Sequence, residues 1–140
     1  MFANCQIGGM NFAAPDVCRT PAPPPPVGPG MLPIPYPNMA NLPMAIPVTA
    51  CLKILISGGP AHNLMTITPL SNGDNPGVLG GMVSQVFMGP SKHMLGAFTT
   101  LYGGMPATRS LVDMTGQNGL VMNAPGMTVV PSQFKLMIMK

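Results

Sequence analysis

From residue 48 onward, short apolar runs alternate with polar or turn-forming punctuation: "CLKILIS", "LMTITPL", "GMVSQVFMG", "GAFTTLYGG", "GLVMNA", "MTVV" and "QFKLMIM". Runs of about four to eight residues bounded by Gly, Pro or Asn are the signature of strands. In "QFKLMI" the apolar Phe134 and the cationic Lys135 fall on opposite faces of an extended backbone. No stretch of about 10–12 helix-forming residues is free of Gly and Pro, so no substantial helix is predicted. The pattern therefore predicts a small all-β domain of short strands and hairpins. "SNGDNPGV" and "NAPGM" supply the positive-φ and fixed-φ positions that turns need.

Two earlier regions read differently. Residues 1–20 carry short apolar stretches broken at Gly8-Gly9 and closed by "APDVC", and residues 21–47 are saturated with proline. Proline lacks an N–H and fixes φ, which rules out helix and central strand and leaves polyproline II or an extended arm. Such a segment suits either a recognition arm that recruits a protein or a stiff connector packed on its own domain. The connector is favoured, because Leu32, Ile34 and Tyr36 between the prolines need burial. Regular structure is expected only from residue 48.

The turns repeat. Gly58-Gly59-Pro60-Ala61-His62 leads to Asn75-Pro76-Gly77, and Gly103-Gly104-Met105-Pro106-Ala107-Thr108-Arg109 leads to Asn123-Ala124-Pro125-Gly126. This is an internal repeat of roughly 45 residues. "GPSKH", with Pro90 and His93, reads as a third, degenerate copy between them.

Composition sharpens this picture. The 140 residues suit a single domain spanning 1–140, yet only 6% are charged, against a usual quarter, while 46% are hydrophobic. A surface built from so few charges exposes apolar patches, which predicts an obligate partner. The net charge of +3 comes from single, scattered bases, with two tyrosines and no tryptophan, so nucleic-acid binding is not expected. No apolar run of about 18 residues is present, and "MFANCQIGG" lacks a basic and apolar leader. Synthesis in the cytoplasm is expected, with export by a dedicated machine.

Candidate chemistry is thin. Three cysteines at wide spacing, Cys5, Cys18 and Cys51, argue against a disulfide framework and leave buried thiols or metal ligands. A thiol paired with His62 or His93 could be written as nucleophile and base, but nothing in the spacing selects such a pair. Asp16, Asp74 and Asp113 are the whole supply of carboxylates. No enzymatic activity is expected. Asp74 in "NGDNPG" reads as a turn residue bonding nearby N–H groups. The fifteen methionines read as flexible fillers of an irregular β core, with Met137 and Met139 on one packing face.

"GGPAHN" and "GGMPATR" resemble the turn that names the PAAR-repeat proteins, and "PDVCRTP", "PIPYPN", "NGDNPGV" and "GPSKH" in this order are similar to the PAAR-like branch of that family. The resemblance runs from "FANCQIGGM" to "VVPSQFKLMI". It implies a small conical all-β domain with pseudo-threefold repeats, seated one copy per trimer on a homotrimeric β-helical spike, the valine-glycine repeat protein of a type VI secretion or related contractile injection system. It further implies membrane contact during puncture, attachment of separate effector or chaperone chains, and delivery outside the cell. Gly59, Pro60, Pro90, Pro106 and Arg109 are then the repeat-turn residues facing the partner. The founding members hold zinc with three histidines and one cysteine. Two histidines cannot supply three, so the implied zinc set here is Cys18, Cys51, His62 and His93, with Cys5 as substitute.

Overall fold

A computed structural model describes residues 1–24, 26, 28 and 30–139. Pro25, Val27 and Pro29 of the Pro-rich segment, and Lys140, lie outside the described residues. The described residues form an all-β domain with ten strands: β1 (Met10–Pro21), β2 (Met31–Asn41), β3 (Cys51–Ile56), β4 (Gly59–Ala61), β5 (Ile67–Thr68), β6 (Ser91–His93), β7 (Ala97–Tyr102), β8 (Met105–Ala107), β9 (Met114–Gln117) and β10 (Ala124–Val130). Helical structure among the described residues is limited to two single 3-10 turns, Leu42–Met44 and Pro47–Thr49. Among the described residues no helix is long and apolar enough to cross a membrane.

One sheet runs in the order β2-β1-β10-β9-β6-β5, and β3-β4 and β7-β8 form separate hairpins. The two longest strands are β1 and β2, so regular structure is not confined to the part beyond residue 48. The Pro-rich segment enters the sheet as its edge strand. Pro33, Pro35 and Pro37 alternate along β2, opposite Arg19, Val17 and the register break between Ala13 and Asp16. Alternation lets every missing N–H fall on the unpaired side, where no ladder bond is lost. Conversely, "GMVSQVFMG" does not form a strand. Gly81 N–H bonds the Val86 carbonyl at 2.8 Å and Gln85 N–H the Gly81 carbonyl at 3.1 Å, folding the run back on itself.

The two hairpins are copies of each other. Cys51 pairs with Ala61, Leu55 with Pro60 and Ile56 with Gly59; Ala97 pairs with Ala107, Leu101 with Pro106 and Tyr102 with Met105. Both carry a register break at the same place and the same burial pattern along the longer strand. Their turns, Ser57-Gly58 and Gly103-Gly104, have positive φ at both central residues, as a two-residue hairpin requires.

The third copy is not "GPSKH". Ser91–His93 is β6 of the large sheet, and the Pro90 carbonyl accepts the Gly119 N–H at 3.0 Å. The third copy comes from the two ends of the described chain. Ala3 N–H bonds the Leu136 carbonyl at 3.0 Å, Ile138 N–H bonds the Met1 carbonyl at 2.9 Å, and Phe2 bridges Met137. Residues 133–138 thus stand where β3 and β7 stand in the other copies. Ile56, Tyr102 and Ile138 occupy matching buried positions and join Ala3, Cys5, Cys51, Ala61, Ala97 and Ala107 in one core cluster. No methionine is buried, so the expected methionine-filled core is replaced by one of Ala, Cys, Ile and Tyr. Small residues fit because three backbones meet there.

Candidate functional site

Three backbone segments close into a ring. His62 N–H bonds the Asn4 carbonyl at 3.0 Å, Asn4 N–H bonds the Thr108 carbonyl at 3.0 Å, and Thr108 N–H bonds the His62 carbonyl at 3.5 Å. The outer bonds join the same three segments in the opposite sense: Gln6 N–H to Pro60 O, Leu64 N–H to Pro106 O, and Ser110 N–H to Phe2 O, at 3.0, 3.0 and 2.8 Å. Pro60 and Pro106 act only as acceptors, whereas Phe2, with an N–H at the matching place, donates it to Ser110 Oγ at 3.1 Å. Each donor one step past the ring is capped by a side-chain oxygen: Cys5 by Ser132, Asn63 by Thr66, and Arg109 by Asp113. Gly59 is confined by Ile7, whose Cγ1 a Cβ would meet at 2.7 Å.

On the outer side of this ring, matching positions expose apolar side chains. Leu52, Phe98 and Phe134 are 58%, 70% and 73% exposed; Leu55, Leu101 and Met137 are 64%, 55% and 52%. Side chains of this size left open three times over mark a contact surface. Met137 and Met139 belong to this exposed set rather than to a packing face. Arg109 does not reach outward; its guanidinium holds Asp113 with Nε and Nη2 at 3.1 and 2.7 Å, which raises its pKa further.

The implied zinc quartet is not assembled. His62 lies on the ring, its Nε2 3.1 Å from Gln6 Oε1, and His93 lies in β6, its Nε2 within 3.2 Å of Asn4 Nδ2 and 3.1 Å of Thr128 Oγ1. Burial holds His62 down at about 3, with a smaller contribution from His93, and holds His93 at about 4. Cys5 and Cys51 sit in the apolar ring core as free thiols. Cys18 lies in β1, opposite Ile34 of the edge strand and bridged to Gly81. Cys18 is the one that keeps different company from the rest, since His93 meets Asn4 of the ring and Cys5 and Cys51 share its core.

Cys18 has other company. Past the register break, Asp16 and Cys18 are two residues apart on β1 and share a face. Asp74 reaches the same place from the "NGDNPG" turn, which seats against β1 because Gly77 has no Cβ; one would lie 2.4 Å from Cys18 Cβ. Asp16, Cys18 and Asp74 are the one group of three or more His, Cys, Asp or Glu among the described residues whose ligand atoms all lie within 4.8 Å of one another, and all three are buried. The group could hold a metal ion. Cys18 Sγ is 3.6 Å from Asp16 Oδ1 and 3.5 Å from Asp74 Oδ2. Burial, then the charges of Asp16 and Asp74, push the thiol far above its usual range, and burial raises Asp74. The donors to the carboxylates are neutral: Asn38, Asn118 and Asn123 amides on Asp16, and the Met88 N–H on Asp74 at 3.2 and 3.0 Å. Asp74 therefore does bond backbone N–H, its own as well as that of the distant Met88. Sequence reasoning did not join Asp16 and Asp74 to Cys18; the alternation in "DVC" was the available signal for the first.

A family model for the toxin PAAR-like domain matches residues 9–126. No curated protein and no solved structure matches the chain. The match spans most of the sequence, and the chain belongs to the toxin PAAR-like domain family.

Proposed function

We propose that this PAAR-like domain is a non-enzymatic cap for the homotrimeric β-helical spike of a type VI secretion or related contractile injection system, with one copy per trimer. The observation that carries this reading is the closed cycle of Asn4, His62 and Thr108, with six matching apolar side chains exposed outside it. A single chain gains threefold character only by repeating itself, and a threefold end is what a homotrimer presents. Among the described residues β3 and β7 each pair with one strand, and spike strands would continue these hairpins by main-chain bonding. The exposed residues would supply the apolar centre of the interface, with Lys53 and Lys135 at its rim. In this scheme the chain is made in the cytoplasm and leaves on the spike, with any effector or chaperone on a separate chain.

Native mass spectrometry of the chain co-expressed with a trimeric spike protein tests the reading. One copy per trimer is expected. A chain that stays free, or binds at three copies per trimer, would overturn it.

A further inference from the structure

We propose that Asp16, Cys18 and Asp74 form a divalent-cation site, taking the place of the Cys/His set that the family resemblance implies. The proposal does not depend on what the ring face binds.

Charge gives the first reason. Two carboxylates are fully buried side by side, and the one ion pair among the described residues joins Arg109 to Asp113 instead. Buried charge is costly unless a counter-charge accompanies it. Amides from Asn38, Asn118 and Asn123 orient Asp16 without neutralising it.

Geometry gives the second. Around an ion with bonds of about 2.3 Å to sulfur and 2.0 Å to oxygen, tetrahedral placement sets sulfur and oxygen about 3.5 Å apart. Cys18 Sγ lies 3.6 Å from Asp16 Oδ1 and 3.5 Å from Asp74 Oδ2. A thiol has one proton and cannot serve both oxygens, whereas one cation can hold all three atoms.

The third reason is an unsatisfied buried atom beside Asp16. Asn38 is fully buried; its Nδ2 is committed to Asp16 Oδ2, and its Oδ1 has no partner. An orphaned carbonyl oxygen on the amide that abuts Asp16 is a ready fourth donor, directly or through water.

The donor set selects the class of ion. One thiolate with carboxylate and amide oxygens suits a borderline ion such as Zn2+ or Co2+, whereas Ca2+ and Mg2+ prefer oxygen alone and more of it. Binding replaces the thiol proton, which leaves to solvent.

The test is titration of the purified full chain with Co2+ and Zn2+. One equivalent of Co2+ should produce a thiolate-to-cobalt charge-transfer absorption, and Zn2+ should displace it. Cys18→Ser should abolish that absorption, and Asp74→Asn should weaken binding at least tenfold, while Cys51→Ser and His62→Gln leave both unchanged. Should the Cys18 or Asp74 variants not fold, the wild-type and Cys51→Ser titrations still decide. Wild-type protein that takes up no stoichiometric cation would overturn the proposal. So would an absorption that persists in Cys18→Ser or disappears in Cys51→Ser.

Discussion

At the ring end, main-chain groups do the joining: Asn4, His62 and Thr108 exchange backbone hydrogen bonds over a core of Ala, Cys, Ile and Tyr. In the large sheet, side chains do it, both around Asp16 and where Asn11 and Thr128 meet Asn4 and His93. Asn11, Asn38, Gln117, Asn118 and Thr128 are all fully buried, or nearly so, and most bond one another or the carboxylates. The ring can therefore be written three times with different residues, because backbone bonding is indifferent to identity as long as a small residue sits at Ala3, Ala61 and Ala107. The sheet is written once, because each amide and hydroxyl has a particular partner. Backbone closure suits a symmetric surface; side-chain specificity suits a single asymmetric pocket.

The largest expected effect breaks the two regions apart by function. Leu52→Asp, Phe98→Asp and Phe134→Asp together should weaken spike binding at least a hundredfold in a pull-down titration. Because Leu52 and Phe98 are exposed, unfolding free energy should stay within about 0.5 kcal/mol for each of them, whereas Phe134→Asp should cost about 0.5–1.5 kcal/mol through its lost edge contact with Phe2. Single substitutions should cost similar amounts; one dominant position would show that the three copies are not used alike.

Stability substitutions sharpen the contrast. Ala61→Leu and Ala107→Leu insert bulk where both residues are fully buried, and each should destabilise by about 1–3 kcal/mol or more by urea unfolding. Equal costs at the two sites are expected. Thr128→Val keeps shape but removes the hydroxyl that donates to Asn11 Oδ1 at 2.6 Å and meets Asn4 and His93. It should cost about 1–3 kcal/mol, by leaving buried amide and imidazole atoms unsatisfied.

Acid should act next. His62 and His93 have folded pKa values of about 3 and 4, below the ordinary 6.5, so the unfolded chain takes up protons first as pH falls. Stability from this source is complete above about pH 6.5 and declines below it, by about 1.4 kcal/mol per pH unit for each histidine until the folded value is reached. Gln6, Asn4 and Thr128, which meet the rings, are neutral, and His93 lies close enough to lower His62 a little further. His93→Gln should flatten the slope by about half between pH 4 and 6.

Much of the ring was legible in the residues, and the reason the third copy was not is physical. "PAH" and "PAT" announce themselves through Gly and Pro, which mark turns whatever their surroundings. "FAN" lacks both, and its hairpin partner is "QFKLMI" at the other end of the described chain. The kinship of "CLKILI" with "QFKLMI" was visible: Lys53 and Lys135, Ile56 and Ile138 match. What "GPSKH" offered instead was local resemblance without the register. The edge strand β2 was hidden because proline density excludes a central strand, yet alternate prolines are compatible with an open edge. The acid–thiol group could be half read, since "DVC" places Asp16 and Cys18 on one face, while Asp74 arrives through tertiary packing of Gly77 on Cys18.

The smallest effect tests whether the caps are as interchangeable as the ring. Cys5, Asn63 and Arg109 place their N–H groups on Ser132, Thr66 and Asp113, at 2.9, 3.0 and 2.7 Å. If the main chain carries the repeat, Ser132→Ala should cost about 1 kcal/mol, the usual loss of one such bond. Asp113→Ala should cost more, since it removes the cap and the Arg109 pair together. Arg109→Lys separates these, because it keeps the Asp113 cap and a positive charge but gives up the two-pronged contact. The guanidinium is largely shielded and the carboxylate buried, yet the pair closes over only four residues, so a loss of about 0.5 kcal/mol is expected by thermal unfolding. A loss for Arg109→Lys as large as that for Asp113→Ala would show that the side-chain pair, and not the main-chain cap, holds this third of the ring.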